Sequence, residues 1–410
     1  MKLVACDVHV VAVPPPHIGG MYWIFVTLRT DDGIEGVGEV YAASFHPRVM
    51  VPAVQDVFDR LLRGEDPHRI ERFFRRAYSS GFTQRPDLTM MGVVSGLEMA
   101  CWDIIGKAAG KPVYDLIGGR VHDRLRSYTY LYPVNARGEH DYTNLDLSVD
   151  CALAYAEQGF TALKFDPAGP YTAYSGHQLS LEEMERSETF LRRLREVLGN
   201  RCDLLFGTHG QMTTSAAIRL ARRLEPYDPL WFEEPVPPGN SAAMGTVARQ
   251  TTIPIAAGER LTTKYEFHDL LRAGGASILQ MNLGRVGGIL EAKKVAALAE
   301  VHYAQIAPHL YNGPVGAAAS IQLATATPNF LIQESIRRWE GFHAAVLETP
   351  IAWADGYILP PTAPGLGVTL NREVVEAHSP YRDRRLHLSM ADLPHDFRAQ
   401  SDPAWKHPPA

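Results

Sequence analysis

Two glutamates stand where predicted β-strands end, and their positions fit a metal site. Glu233 lies in the apolar run LWFEEP, and Glu259 ends the next such run, PIAAGE. The C-terminal ends of parallel strands meet at one face of an α/β barrel, so these two carboxylates are expected to converge there. Hard divalent cations prefer oxygen ligands. The sequence therefore predicts Glu233 and Glu259 as ligands of a divalent metal ion.

Two histidines also follow predicted strands. His209 comes after the run CDLLFG, and His309 ends the run AQIAPH. The imidazole group titrates near neutral pH, which suits it to give or take a proton during catalysis. We therefore predict acid–base catalysis by these histidines. Further polar side chains lie at or near the ends of other predicted strands: Lys164, Asp166, Asn282 and Glu334.

These residues are separated by a repeating alternation of short apolar strands and amphipathic helices. Eight strands are predicted, which is the number that closes a parallel α/β barrel. They cover residues 127–132, 161–166, 202–207, 229–235, 254–259, 278–283, 304–309 and 330–335. Polar residues recur at nearly every strand's C-terminal end, whereas a doubly wound open sheet concentrates them at one switch point. The pattern therefore favours a barrel over the open sheet.

The beginning of the chain has a different pattern, typical of an α+β domain. Two apolar runs flank Asp31-Asp32-Gly33, a hairpin signal, and residues 4–13 form a third predicted strand. Helical periodicity follows at residues 50–64, 67–77 and 92–110. The predicted organisation is a capping domain, a barrel, and a C-terminal segment that returns to the capping domain, at residues 1–125, 126–345 and 346–410.

The composition limits the classes of function. The 410 residues carry a net charge of −6, and no long block of Lys or Arg stands out. Such a chain is ill suited to bind nucleic acid or a membrane surface, so a small molecule is the expected partner. The four cysteines show no CxxC spacing, which argues against a zinc site or a disulfide framework. With no signal-peptide or membrane-spanning pattern, we expect a cytoplasmic protein, and we expect a homo-oligomer.

The order of short motifs along the chain is more specific than any one of them. EEP, GER, a Gly-Gly pair after the sixth strand, APH and QES occur in succession at predicted strand ends. This series resembles the enolase superfamily, and within it the mandelate racemase group and its sugar-acid dehydratases. The resemblance implies a (β/α)7β TIM-like barrel with an α+β capping domain. It also implies Mg2+ and removal of the proton α to a carboxylate, after which dehydratases expel a β-hydroxyl to give a 2-keto-3-deoxy sugar acid.

Two positions depart from the pattern of the dehydratases that the chain resembles. Those enzymes close the third strand with an acid-x-His-Gly segment, where this chain has Gly207 before His209. Water filling the vacancy, coordination by His209, or loss of the metal are all open. Asn282 stands where the family has an Asp that orients His309. An amide can orient the ring but cannot stabilise an imidazolium by charge, so His309 is expected to be a weaker base.

The resemblance also assigns roles to the remaining residues. It places His209 and His309 on facing sides of the substrate, and which of them takes the α-proton is open. Lys164 corresponds to a lysine that neutralises the substrate carboxylate, and Glu334 to an acid that donates a hydrogen bond to it. Asp166 replaces the second lysine of the group's racemases, which argues against racemisation.

A further group of polar residues is predicted to contact and select the substrate. Asp166 and Asn282 are expected to contact substrate, and Arg260 follows Glu259 closely enough to pair with substrate or with a barrel acid. Two candidate lid loops, at 17–22 and 79–88, carry Tyr22 and Arg85 as further predicted contacts.

Three functions fit these observations. The first is a Mg2+-assisted sugar-acid dehydratase. The second is a cycloisomerase or epimerase of acid sugars. The third is a barrel that has lost catalysis and acts as a ligand-binding or regulatory protein, which Gly207 and Asn282 together would explain. The retained acids Glu233 and Glu259 favour an enzyme, because a decayed site has no catalytic reason to keep them.

Overall fold

The structure is a computed structural model that describes residues 1–41, 44–138, 140–169 and 176–379. Contacts between Cα atoms divide it into two compact units. The first contains Met1–Ser127, Gly258–His268 and the described chain from Leu279 onward. The second contains Tyr128–Ala257 and Asp269–Ile278. The fold class is the predicted one, a (β/α)7β TIM-like barrel with an α+β capping domain.

The first unit begins with a three-stranded antiparallel sheet in the order β1-β2-β3. Its strands are β1 (Leu3–Ala12), β2 (Tyr22–Thr30) and β3 (Glu35–Val40). The turn between β2 and β3 contains Gly33 with φ 86°, a left-handed conformation that glycine adopts without steric cost. The predicted hairpin at Asp31-Asp32-Gly33 is therefore confirmed.

Four helices follow in the same unit, and the longest packs against β3. They are α1 (Pro47–Leu61), α2 (Ile70–Tyr78), α3 (Leu88–Ala109) and α4 (Val113–Leu116). Helix α3 is long and apolar enough to cross a membrane, but 78% of its most apolar window is buried, so its composition is that of a core helix. The close packing depends on glycine, because a Cβ atom on Gly38 would lie 1.9 Å from the carbonyl oxygen of Gly96.

The second unit contains consecutive parallel strands joined by helices. The strands are β4 (Leu125–Tyr130), whose first three residues belong to the first unit, β5 (Ala162–Phe165), β6 (Asp203–Phe206), β7 (Trp231–Glu233) and β8 (Ile255–Ala257). The helices are α5 (Leu145–Glu157), α6 (Leu181–Leu198), α7 (Thr214–Leu224) and α8 (Ser241–Ala248). Each strand from β5 to β8 pairs in parallel with the one before it, as βαβ connections require.

Two further elements, α9 (Thr263–Arg272) and β9 (Ile278–Leu279), each contain residues of both units. The first unit then continues with α10 (Ile289–Val301), β10 (Gln305–Ile306), α11 (Pro314–Thr325) and β11 (Gln333–Ser335). It ends with α12 (Phe342–Ala345), β12 (Trp353–Ala354), β13 (Tyr357–Ile358) and α13 (Arg372–Ala377). Strands β4 to β11 are the eight predicted barrel strands, in the predicted order.

The later strands are shorter than predicted, and the difference matters for the chemistry. The sixth predicted strand spans 278–283, but β9 ends at Leu279, and the carbonyl of Asn282 accepts hydrogen bonds from Arg285 and Val286 in a turn. The seventh spans 304–309, but β10 ends at Ile306. Asn282 and His309 therefore lie on the segments that follow the strands.

The C-terminal segment returns to the start of the chain within the first unit. The Leu366 amide donates to Asp103 Oδ1 at 2.8 Å, and the Ala12 amide donates to the His378 carbonyl at 3.0 Å. Residues 380–410 of the predicted C-terminal segment lie outside the described residues.

Candidate functional site

In the second unit, five residues at the ends of β5, β6 and β7 form a cluster that we call the Lys164 cluster: Lys164, Asp166, Gly207, His209 and Glu233. Lys164 belongs to β5 and Glu233 ends β7, so both are fixed by the parallel ladder. The Lys164 ammonium donates to Glu233 Oε1 at 2.5 Å, and the two side chains are only 3% and 0% exposed. A pair this deeply buried persists because each charge compensates the other.

Gly207 supplies the space that the Lys164 side chain occupies. A Cβ atom on Gly207 would lie 3.2 Å from Lys164 Cε and 3.2 Å from the Phe165 carbonyl oxygen. Both distances are tighter than ordinary carbon contacts, so a side chain at position 207 would require Lys164 to move. The path of the Lys164 side chain thus depends on the small size of the residue at position 207.

His209 is held by a carboxylate of the same cluster. Its Nδ1 lies 3.0 Å from Asp166 Oδ2, and the Asp166 side chain is 3% exposed while the imidazole is 37% exposed. The preceding Thr208 hydroxyl lies 2.6 Å from the Glu233 carbonyl, which ties the segment to the end of β7. Because an ionised carboxylate only accepts, the neutral ring carries its proton on Nδ1 and its lone pair on Nε2. This is the form of histidine that acts as a general base.

In the first unit, four residues form a second cluster that we call the His309 cluster: Glu259, Asn282, His309 and Glu334. His309 Nε2 lies 3.2 Å from Glu259 Oε2, with both side chains 8% exposed. Asn282 Nδ2 lies 2.9 Å from His309 Nδ1. Asn282 Oδ1 accepts the Gly284 amide hydrogen at 2.8 Å, so the NH2 group must face the ring. His309 Nδ1 is therefore an acceptor, and the neutral ring carries its proton on Nε2.

Two more charged groups belong to the surroundings of the His309 cluster. Glu334 Oε2 accepts the Leu310 amide hydrogen at 2.7 Å, which fixes the carboxylate next to the chain that carries His309. Arg285 donates to the Glu259 carbonyl at 3.3 Å, and its guanidinium lies 4.1 Å from the centre of the Tyr41 ring. Burial raises the pKa of Tyr41 to about 12, so this ring stays neutral at physiological pH. Sequence reasoning missed Arg285, because an arginine after a strand carries no signal of its burial.

The structure places the remaining predicted site residues in three different environments. Arg260 is half-buried directly after Glu259. Arg85 is exposed between α2 and α3. Tyr22 is buried at the start of β2, its hydroxyl donates to the Phe45 carbonyl at 3.3 Å, and burial raises its pKa to about 12. Tyr22 is thus a strand residue and not the loop residue that was expected, although its contact with substrate stays a prediction.

The two predicted metal ligands each face a basic side chain of their own cluster. Glu233 faces the Lys164 ammonium, and Glu259 faces the imidazole of His309. Within the part of the chain that the structure describes, no group of three or more His, Cys, Asp or Glu side chains is arranged to hold a metal ion. As arranged, these residues do not fit a divalent metal, since a cation at Glu233 would have to displace Lys164.

Comparison with known proteins gives a consistent family assignment. Residues 10–118 match the model of the mandelate racemase/muconate lactonizing enzyme N-terminal domain, and residues 147–374 match the enolase C-terminal domain-like model. The chain is 32% identical to the D-xylonate dehydratase of Haloferax volcanii, over 91% of this chain and 89% of that protein. It is 33% identical to the D-galactonate dehydratase of Ralstonia nicotianae, over 86% of this chain and 90% of that protein.

A solved structure is more similar still. It comes from Burkholderia SAR-1, is provisionally described as a mandelate racemase/muconate lactonizing enzyme, and is 71% identical to this chain. The TM-score is 0.96, and the match covers 97% of this chain and 98% of that one.

Proposed function

The chain belongs to the enolase superfamily, and we propose that within this superfamily the protein is a sugar-acid dehydratase. The reaction removes the proton α to a carboxylate and expels the β-hydroxyl, which gives a 2-keto-3-deoxy sugar acid. Relatives that are 32% and 33% identical over most of the chain are named as D-xylonate and D-galactonate dehydratases. The substrate is accordingly a small sugar acid, and we expect the enzyme to work in the cytoplasm as a homo-oligomer.

The observation that carries the proposal is the pairing of His209 with Asp166. The carboxylate holds Nδ1–H, so the Nε2 lone pair is the one that takes the α-proton. Asp166 also stabilises the imidazolium that forms, in the way that a buried carboxylate supports a catalytic histidine elsewhere. The partly exposed ring can reach a bound ligand, whereas its partner is anchored in the protein.

One residue can complete the chemistry. After His209 has taken the α-proton, the imidazolium donates that proton to the β-hydroxyl as the C–O bond breaks. The hydroxyl leaves as water, the electron pair of the former C–H bond forms the C=C bond of an enol, and the enol tautomerises to the 2-keto acid. No second proton carrier is required.

His309 has a different task in this scheme. The amide of Asn282 donates to Nδ1, so the ring is held neutral with its proton on Nε2. The Nε2–H of this ring lies 3.2 Å from Glu259 Oε2. We propose that it turns from Glu259 to the substrate and there stabilises negative charge that develops in the transition state. An Asp at position 282 would accept a hydrogen bond from Nδ1 and, with Glu259 at Nε2, would favour a ring protonated on both nitrogens. We therefore assign proton transfer to His209 and charge stabilisation to His309.

The superfamily's members generally use Mg2+, and a Mg2+ cofactor was expected from the sequence. The arrangement of Lys164 and Glu233 does not fit that ion, so no step of the proposed reaction depends on it. The same arrangement argues against a decayed site. Lys164 lies in the space beside Gly207 and supplies the positive charge that contacts Glu233. Glu259 supplies a negative charge at His309 Nε2, which Asn282 cannot supply at Nδ1.

A substrate panel tests the proposal. The purified full chain is incubated with pentonates, hexonates and hexarates, and formation of a 2-keto-3-deoxy acid is measured. We expect at least one acid to react, and His209→Gln to remove the reaction while His268→Gln, at an exposed position, leaves it unchanged. A panel without any keto acid product contradicts the proposal. Conversion to an epimer or another isomer of the same composition, without loss of water, would favour the epimerase or cycloisomerase instead.

A further inference from the structure

The buried pair of Lys164 and Glu233 supports an inference about metal binding that does not depend on the dehydratase proposal. Glu233 is the carboxylate that the sequence predicts as a metal ligand, yet its Oε1 lies 2.5 Å from a lysine ammonium. Neither side chain is more than 3% exposed. A buried carboxylate requires a compensating cation, and here the chain itself supplies one.

Gly207 leaves room for this arrangement. The position that would carry the third acid has no side chain, and a Cβ atom there would come within 3.2 Å of Lys164 Cε. An acid at 207 would therefore make Lys164 shift slightly while adding a possible ligand for a metal. With no acid at 207, the Lys164 ammonium is the cation that contacts Glu233.

We propose that the Lys164 ammonium replaces a divalent metal ion as the cation of Glu233, so that the Lys164 cluster is complete without a metal. The cation is fixed to β5 by its own backbone, and it is present whenever the protein is folded. It carries one positive charge where Mg2+ carries two, but it also has three N–H donors, which a metal ion lacks. Such a cation can serve an anionic ligand through hydrogen bonds as well as through charge.

Mn2+ is the probe that tests this inference, because its binding to the protein is measured directly by electron paramagnetic resonance. The full chain is treated with EDTA, titrated with Mn2+, and its Tm is followed with and without the metal. We expect no stoichiometric Mn2+ binding with Kd below about 1 mM, the weak end of protein sites for hard divalent cations. We also expect the Tm to be the same in EDTA and in Mn2+. Binding of one Mn2+ per chain at micromolar concentration, or a lower Tm in EDTA, overturns the inference.

Variants of the pair test the exchange of cations. Lys164→Met removes the ammonium and leaves Glu233 buried without it, so we expect a lower Tm that Mn2+ partly restores. Lys164→Met/Glu233→Gln removes both charges and is the matched control, in which Mn2+ should have no effect. A Lys164→Met protein whose Tm ignores Mn2+ contradicts the exchange. If that variant does not fold, the titration of the unaltered protein decides.

Rebuilding the missing ligand gives the converse test. Gly207→Asp in the Lys164→Met background adds a carboxylate and removes its steric obstacle, so Mn2+ should bind at least tenfold more tightly than in Lys164→Met alone. Gly207→Asp with Lys164 retained should gain little. Equal gains with and without the lysine would show that Lys164 does not occupy the place of a metal. None of these measurements uses turnover, so their failure is distinct from failure of the dehydratase proposal.

Discussion

Asp166→Asn is the substitution that most directly probes the proposed base. An amide in place of the carboxylate can donate to His209 Nδ1, which moves the ring proton to Nε2 and removes the lone pair that accepts the α-proton. Loss of a general base typically lowers the rate by about 10²- to 10⁴-fold. Because the imidazolium also loses the charge of Asp166 at 3.0 Å, we expect the upper part of that range.

The same substitution should have little effect on the fold. The hydrogen bond ends on a ring that is 37% exposed, and a typical hydrogen bond contributes about 1 kcal/mol to the free energy of unfolding. The Asn side chain has nearly the volume of Asp, so no cavity forms. A large kinetic loss with a nearly unchanged Tm is therefore the signature of a base that has the wrong tautomer.

The assay is kcat/KM on whichever sugar acid the panel identifies, measured beside Asp150→Asn, an exposed position on α5 of the same unit. The 15N chemical shifts of the His209 ring nitrogens in each protein report the tautomer independently of turnover. Activity of Asp166→Asn within tenfold of the parent, with the proton shown on Nε2, would refute the assignment of His209 as the base.

Three further substitutions test other parts of the account. Asn282→Asp should add a proton at His309 Nδ1 and leave the ring protonated on both nitrogens, because carboxylates would then face both of them. The 15N shifts of the ring should show this change and turnover should fall, whereas unchanged shifts would contradict the hydrogen-bond assignment. Burial raises the pKa of Glu39 to about 7 from 4.5, so the free energy of unfolding should fall by about 3 kcal/mol as pH rises through that window, and Glu39→Gln should flatten this slope in denaturant titrations. Gly38→Ala should cost about 1–3 kcal/mol or more through overpacking, whereas Gly239→Ala, with nothing within 4 Å of its Cβ position, should not.

Much of the fold was accessible from the sequence because periodicity reports burial. Eight short apolar runs separated by amphipathic helices predict the barrel strands, and the turn at Asp31-Asp32-Gly33 predicts the β2–β3 hairpin. The ends of the elements were less accessible. Strands β9 and β10 end several residues early, although the Ala307 and His309 amides still donate to the Leu279 and Met281 carbonyls beyond them; the chain then turns at Asn282. An apolar run shows that a segment is buried, but not where its regular strand ends.

The candidate site shows a similar limit. The positions of His209 and His309 after their strands were predictable, and so was the presence of charged residues near them. The protein partner of each side chain was not predictable: Lys164 pairs with Glu233, while its contact with a substrate carboxylate stays a prediction. Spacing along a strand gives the end at which a side chain lies, while its partner depends on the neighbouring strands. The ring tautomer of His309 depends further on a single backbone amide, that of Gly284, which no pattern signals.

The central claim is that His209 transfers the proton and His309 only donates a hydrogen bond. A glutamine can present an N–H near the position of Nε2 but cannot take up a proton, so His309→Gln and His209→Gln separate the two roles. We predict that His309→Gln lowers kcat/KM by about tenfold and at most about 10²-fold. On the same sugar acid, His209→Gln should lower kcat/KM by about 10²- to 10⁴-fold or more. The reverse order, with His309→Gln inactive and His209→Gln active, would contradict the account.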